Sequence, residues 1–261
     1  MKYNYSIETS DYKEKLEKPI IYKIPGIEST GRDVSISVID SGYPRHKDIN
    51  AKYKKDRIGF CQGEKFVFDK NGHSTAISGI IKAKNSKSMT GLAYDANVKY
   101  CKVVDNQGDC NFNSLVAAIL WSIVANVDII VIAMGTNHDY PILRDAIKKA
   151  VDADILVVAA SGEGSDVEYP AKYDDVISVA SKDSLKEKST IVWNVDDTVT
   201  TGLKNTYIKV SGSSVSTAFV AGVSACLVEN YKKVKTLSKN PYNYVLSRLK
   251  DMTENNKLGS Y

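Results

Sequence analysis

Apolar positions along this chain fall into two kinds of run. Short, continuous, β-branched stretches stand at Val34 to Ile39, Val98 to Val104, Asp128 to Ala133, Ile155 to Ala160 and Val176 to Ala180. Between them lie longer segments with a helical pattern, Ala76 to Ala83, Asn113 to Ala125 and Pro141 to Ala153. Apolar runs of about four to eight residues bounded by turn residues read as buried strands. Strands that are apolar throughout and alternate with helices make a mainly parallel sheet covered on both faces, so the chain is expected to be α/β. Asn113 is expected to cap its helix, and Pro141 suits the first position of the next. The remaining elements are expected to be a short strand at Lys65 to Phe68, irregular antiparallel strands over residues 183–210, and a last helix from Pro241 to Lys250. Residues 1–30 carry little periodicity and read as an extension with one short helix from Asp11 to Lys18.

The longest uncharged stretch lies late in the chain. After Val210-Ser211-Gly212-Ser213-Ser214, the run Ala218 to Val228 has no charged residue until Glu229. This predicts a tight turn feeding a buried helix, Ser213 to Tyr231, with Gly222 where another element could approach closely. A serine in the first turn of such a helix sits among amides that have no intrahelical partner, at the positive end of the dipole. An anion forming there would be stabilised. By itself this marks Ser213 or Ser214 as no more than a helix cap.

Composition narrows the class without naming it. The 261 residues are 43% apolar, enough for one sizeable core, and the net charge is only +4, with the basic residues interleaved among 31 acids. No basic cluster points to nucleic acid, and no apolar run is long enough to span a membrane. The start, MKYNYSIETSDYKEKLEKP, is polar and charged, unlike a secretory signal peptide. The expectation is a cytoplasmic protein, or a secreted one whose leader has been removed. Four cysteines, Cys61, Cys101, Cys110 and Cys226, show no CxxC pairing or metal-ligand spacing, and a Cys61–Cys110 disulfide stays open.

In a parallel sheet the chemistry sits at the carboxyl ends of the strands. The residues at those ends are Asp40, the Ala133-Met134-Gly135 turn, and Gly162-Glu163. A serine nucleophile needs a histidine to take its proton and a carboxylate to orient the imidazole. Of three histidines, His46, His73 and His138, His73 has the most suggestive surroundings, with Gly72 before it and a helix after it. Taken together, Val38-Ile39-Asp40-Ser41-Gly42, Asn71-Gly72-His73-Ser74-Thr75, and Gly212-Ser213-Ser214 with Val220-Ala221-Gly222 resemble the three signature blocks of the subtilisin-like serine proteases, the subtilases, in the same Asp, His, Ser order. Gly91-Leu92-Ala93, Asp128-Ile129-Ile130 before Ala133-Met134-Gly135, and Tyr169-Pro170-Ala171-Lys172-Tyr173 extend the resemblance from about Ile24 to Glu229.

The resemblance implies a three-layer sandwich, with residues 1–23 an N-terminal extension and residues 24–261 a single catalytic domain. It implies a serine endopeptidase, expected to be a monomer acting on peptide or protein substrates. Asp40 would orient His73, His73 would act as base and then acid, and Ser214 would be the nucleophile, in preference to Ser213 and Ser216. The Ser214 backbone N–H would donate to the oxyanion, and Ala133-Met134-Gly135 would pair with the substrate backbone and wall the specificity pocket, with Ser161 and Gly162 opposite.

The departures from the family pattern carry their own expectations. Where subtilases place an asparagine as side-chain donor to the oxyanion, this chain has Glu163. An ionised glutamate there would repel the oxyanion, and a protonated one could donate to it; losing that donor costs on the order of 10²–10³ in turnover. Ala218-Phe219 stands where the family has Pro-His, and Ser74 and Ala76 replace a glycine and a second histidine. Glu168, just before Tyr169-Pro170, falls near the floor of the specificity pocket and would favour Lys or Arg before the cleaved bond; a solvated acidic loop is the alternative. No cofactor is required. Asp48 matches a family calcium ligand, although the loop from Lys82 to Thr90 carries three lysines. The competing function is a subtilase fold that binds peptides or a partner without turnover.

Overall fold

A computed structural model describes residues 6–7, 15–49, 56–61, 63–64, 66–181, 185, 188–195, 197–234 and 241–254. In chain order the strands and helices are β1 (Ser6–Ile7), β2 (Ile20–Ile21), β3 (Ser35–Asp40), β4 (Arg57–Gly59), α1 (His73–Lys82), β5 (Met89–Thr90), β6 (Asn97–Lys102), α2 (Phe112–Val124), β7 (Ile129–Ile132), α3 (Pro141–Asp152), β8 (Leu156–Ala160), β9 (Ile177–Ala180), β10 (Ile191–Val192), β11 (Thr198–Thr201), β12 (Tyr207–Ser211), α4 (Ser213–Val234) and α5 (Tyr242–Glu254).

Seven strands form one sheet in the order β10-β9-β8-β7-β3-β6-β4, every neighbouring pair parallel. The continuous apolar character of β7 and β8 follows from burial on both faces. Side chains alternate between two cores. Ile36, Val38, Val131 and Val158 pack with α1, α4 and α5 on one side, and Ile39, Ile130, Ile132 and Val157 pack with α2 and α3 on the other. The fold is therefore the three-layer α/β arrangement expected from the sequence. The chain leaves β3 toward β6 and returns on its other side as β7, so the order reverses at β3. A crevice opens at the carboxyl end of a strand with that position, and the last residue of β3 is Asp40.

Helix α4 is buried at every position from Ser213 to Glu229. Gly222 is required at its closest contact: a Cβ there would stand 2.8 Å from Leu92 Cβ, in the turn after β5. Across the molecule the antiparallel β11–β12 hairpin packs on α1, with Thr200 Oγ1 and Thr201 Oγ1 donating to the Ala76 and Thr75 carbonyls at 2.7 Å each. β1 pairs antiparallel with the end of β12, Ser6 opposite Ser211. The described part of the expected N-terminal extension is bonded into the molecule. β2 pairs with β5, and Tyr22 packs edge-on against Phe219 of α4, with ring centres 5.0 Å apart.

Several local expectations need correction. The cap of α2 is Asn111, whose side chain accepts from the Asn113 amide, so Asn113 is the residue capped. Lys65 lies outside the described residues, and of the strand expected to end at Phe68 only a bridge from Phe68 to Tyr43 is present. Its aromatic ring instead lies under the Arg45 guanidinium at 3.4 Å. The helix expected at Asp11 to Lys18 lies outside the described residues up to 14, and residues 15–18 are not helical. Over residues 183–210, β10 is parallel and joins the main sheet, and only β11 and β12 are antiparallel. All four cysteines are free thiols, so Cys61 and Cys110 form no disulfide.

Candidate active site

Asp40 ends a central strand and is completely buried. Its Oδ1 accepts from its neighbour's amide, Ser41 N, at 2.6 Å. His73 opens α1 at 1% exposure, and its Nδ1 lies 2.9 Å and 2.8 Å from the two Asp40 oxygens. Gly72 makes this possible by holding φ at +102° immediately before the helix, a left-handed conformation that favours glycine. The carboxylate fixes the imidazole with Nδ1 facing inward, which leaves Nε2 as the atom for proton transfer. The other histidines are placed differently. His46 is buried with Nε2 3.1 Å from the Thr206 carbonyl, and burial pushes its pKa down; His138 is exposed and packs against Tyr140.

Gly212, at φ +114°, turns β12 into α4. Ser214 lies in the first turn of that helix at 6% exposure, and its Oγ donates to the Ala133 carbonyl at 2.9 Å. The nucleophile expected from the sequence is thus joined to the end of β7, the expected substrate strand. Glu163 sits beside the same turn. Its Oε1 accepts from Ser213 N at 2.5 Å, and a Cβ on Gly212 would stand 2.9 Å from that oxygen. Glu163 therefore faces the nucleophile's helix, and it does so as an acceptor, occupying one of the amides that the first turn leaves without an intrahelical partner.

Glu168 fills the slot between the two expected pocket walls. A Cβ on Gly135 would stand 2.6 Å from Glu168 Cβ, and one on Gly162 would stand 2.6 Å from Glu168 Cδ. Its amide donates to the carbonyl of buried Ser161 at 2.9 Å, and the next residue closes a two-bond bridge, Thr136 to Tyr169. Met134 is buried beside this wall. Burial, and then the neighbouring Glu163 carboxylate, push the Glu168 pKa above the usual carboxylate value. Two acids thus share one half-buried place, unlike a solvated acidic loop. Asp166 two residues earlier fits that description, exposed and paired with Lys172.

Asp48, the expected calcium ligand, is held by two neutral donors. Its Oδ1 accepts from Asn85 Nδ2 at 2.8 Å and its Oδ2 from the Tyr207 hydroxyl at 2.6 Å, which closes the carboxylate with neutral donors. Lys82, at the end of α1, donates to the Tyr94 and Ala96 carbonyls. Hard cations need several convergent oxygens, and among the described residues no group of three or more His, Cys, Asp or Glu side chains could hold a metal ion.

Two buried charged residues beside the site escaped the sequence reading. Asp69 lies at 6% exposure next to the Ser41 hydroxyl, and Lys102, at 1%, donates to the Ser41 and Val104 carbonyls at 2.7 and 2.8 Å. The position of Asp69 four residues before His73 was the one available signal, and it is indistinguishable from an ordinary turn acid.

A buried Asp-His pair at the switch point of a parallel sheet, with a serine in the first turn of a buried helix, is the residue set that a serine hydrolase of the Asp-His-Ser kind requires. The comparisons narrow this to one family. Residues 31–258 match the family model of the subtilase family, Peptidase_S8. The chain is 35% identical over 211 residues to minor extracellular protease Epr of Bacillus subtilis (strain 168), covering 76% of this chain and 32% of that protein. It is 29% identical over 218 residues to subtilisin DY of Bacillus licheniformis, covering 77% and 78%. It is 30% identical over 235 residues to an intracellular serine protease of Paenibacillus polymyxa, covering 82% and 71%. The chain belongs to the subtilase family of serine endopeptidases, whose substrates are peptides or proteins. No helix among the described residues is long and apolar enough to cross a membrane.

Proposed function

We propose that this chain hydrolyses peptide bonds through an acyl-enzyme on Ser214. The observation that carries the proposal is the buried His73–Asp40 pair at 2.8 Å, formed where β3 ends and α1 begins. When a peptide is bound, the Ser214 hydroxyl leaves the Ala133 carbonyl and turns to His73. His73 Nε2 takes the proton as Oγ attacks the scissile carbonyl, and Asp40 stabilises the imidazolium that forms. The oxyanion is stabilised by the Ser214 amide at the positive helix end. His73 then returns the proton to the leaving amine. Water, deprotonated by the same imidazole, cleaves the acyl ester and restores the serine.

Glu168 supports a basic residue before the cleaved bond, because an ammonium or guanidinium entering the slot would pair with a carboxylate that is otherwise costly to bury. The relative named an intracellular serine protease supports a cytoplasmic enzyme and the one named a minor extracellular protease a secreted one, which cell fractionation would decide; sedimentation would check the expected monomer. A second reading, a peptide-binding protein without turnover, is favoured by two observations: Ser214 bonded to Ala133 in place of His73, and a carboxylate at the Ser213 amide.

A fluorophosphonate probe separates the two. Labelling that disappears in Ser214→Ala supports the protease. Absence of labelling in the folded wild type at every pH between about 5 and 9 refutes it.

A further inference from the structure

We infer that Asp69 is a positioning residue of this site, holding His73 against Asp40 through Ser41 and the first turn of α1; the inference rests on the protease reading above. Five donors converge on its two oxygens. Oδ1 receives Ser41 Oγ at 2.9 Å, Asn71 N at 3.0 Å and Gly72 N at 2.8 Å. Oδ2 receives Thr75 N at 2.8 Å and Thr75 Oγ1 at 2.6 Å. A helix cap accounts for one or two of these bonds. It does not account for the bond to Ser41, which belongs to another element and adjoins the carboxylate that orients the imidazole.

Ser41 is the joint between the two halves. Its amide donates to Asp40 Oδ1 at 2.6 Å, its Oγ donates to Asp69 and accepts from Ser74 N at 2.9 Å, and its carbonyl is held by Lys102 Nζ at 2.7 Å. The bonds form a closed ring that runs from Asp40 to Ser41, to Asp69, to the residues flanking His73, and through His73 Nδ1 back to Asp40. The Asp69 backbone is itself fixed, its amide donating to the Tyr43 carbonyl at 2.8 Å. Only a carboxylate satisfies this ring. An asparagine would turn its NH₂ group toward either the Oδ1 donors or the Thr75 donors, and that side would come apart. Catalytic geometry tolerates little: a misplacement of about 1 Å costs on the order of 10² in rate.

The test is Asp69→Asn, Ser41→Ala and the double variant, with kcat and KM measured separately on a peptide amide. In each, the His73 Nδ1–H proton resonance is followed in a Ser214→Ala background, which needs no turnover. For Asp69→Asn the expected result is a kcat lower by about 10–100-fold, KM little changed, and a moved or broadened resonance. The double variant should be no worse than the poorer single variant, because both act through one ring. An unchanged kcat and resonance in folded Asp69→Asn, or effects that multiply in the double variant, would overturn the inference. If Asp69→Asn does not fold, Ser41→Ala decides, since it leaves the four bonds within residues 69–75 intact: a lower kcat with a moved resonance supports the ring, and wild-type values for both overturn it. Wild type that neither turns over nor labels would instead remove the protease reading, and the resonance would still decide whether Asp69 positions His73.

Discussion

Replacing Glu168 with alanine should invert the substrate preference of the site. The Glu168 side chain lies so close to Gly135 and Gly162 that a Cβ on either glycine would meet it at 2.6 Å, so a substrate side chain entering the slot must share it with the carboxylate. For lysine, Glu168→Ala removes a charge-assisted hydrogen bond worth about 1.5–3 kcal/mol. For leucine, it vacates space in which burying the side chain returns about 1.5–3 kcal/mol. The two effects add in the ratio, which should move from lysine toward leucine by about 3–6 kcal/mol, or about 10²–10⁴ in relative kcat/KM. The assay is a pair of peptide amides differing only at the residue before the cleaved bond, measured at neutral pH in both proteins. A lysine-to-leucine ratio that moved by less than about tenfold would show that the carboxylate does not meet that side chain.

Three further outcomes follow from the same geometry. The raised Glu168 pKa means that the folded state binds its proton more tightly than the unfolded chain, so its contribution to stability is present at low pH and lost as pH rises above the ordinary carboxylate value; thermal melts of Glu168→Gln should show a flatter loss across that window, and parallel curves would count against burial as the cause. Glu163→Asn should raise neutral-pH turnover, by up to about 10²–10³, since the amide oxygen can keep the Ser213 N–H while the NH₂ group adds a donor; equal or lower kcat would place Glu163 outside the oxyanion's reach. Phe219→Ala, removing a fully buried ring packed on Tyr22 and Trp193, should cost about 3–5 kcal/mol in urea unfolding, and a loss below about 1 kcal/mol would contradict that packing.

What the sequence revealed of this protein follows the range over which each feature is encoded. Strands β7 and β8 are continuous apolar runs because both faces are covered, and a run of that kind is visible locally. His73 and Ser214 were legible because each follows a glycine that the local turn requires, Gly72 at φ +102° and Gly212 at φ +114° two residues earlier. Strand β4 was not legible, since it is a short edge strand reading Arg-Ile-Gly with no apolar run. Of the aromatic residues in the strand expected at Lys65 to Phe68, Phe68 instead meets two cations, the Arg57 guanidinium also lying 5.0 Å from its ring centre, and Phe66 stacks on it. Asn111 and Asn113 are two residues apart with equal capping chemistry, and only the backbone at Asn111, extended at φ −78° and ψ 129°, decides between them. The ring through Asp69 was hidden for a different reason: its members lie 28 and 33 residues apart in the chain and meet only once β3 and α1 are in place.

Helix α4 is buried at every position from Ser213 to Glu229. An element enclosed in this way has no partial opening available to it, so its amides exchange only when the whole molecule opens. Heat inactivation and unfolding should therefore be a single event, with no intermediate that keeps its core but loses its nucleophile. For a protease this carries a particular consequence. The copies open enough to be digested are already inactive, so the survival of a concentrated sample is set by the rate of global opening, and stabilising substitutions in α4 beyond its first turn should lengthen working life without touching the catalytic groups.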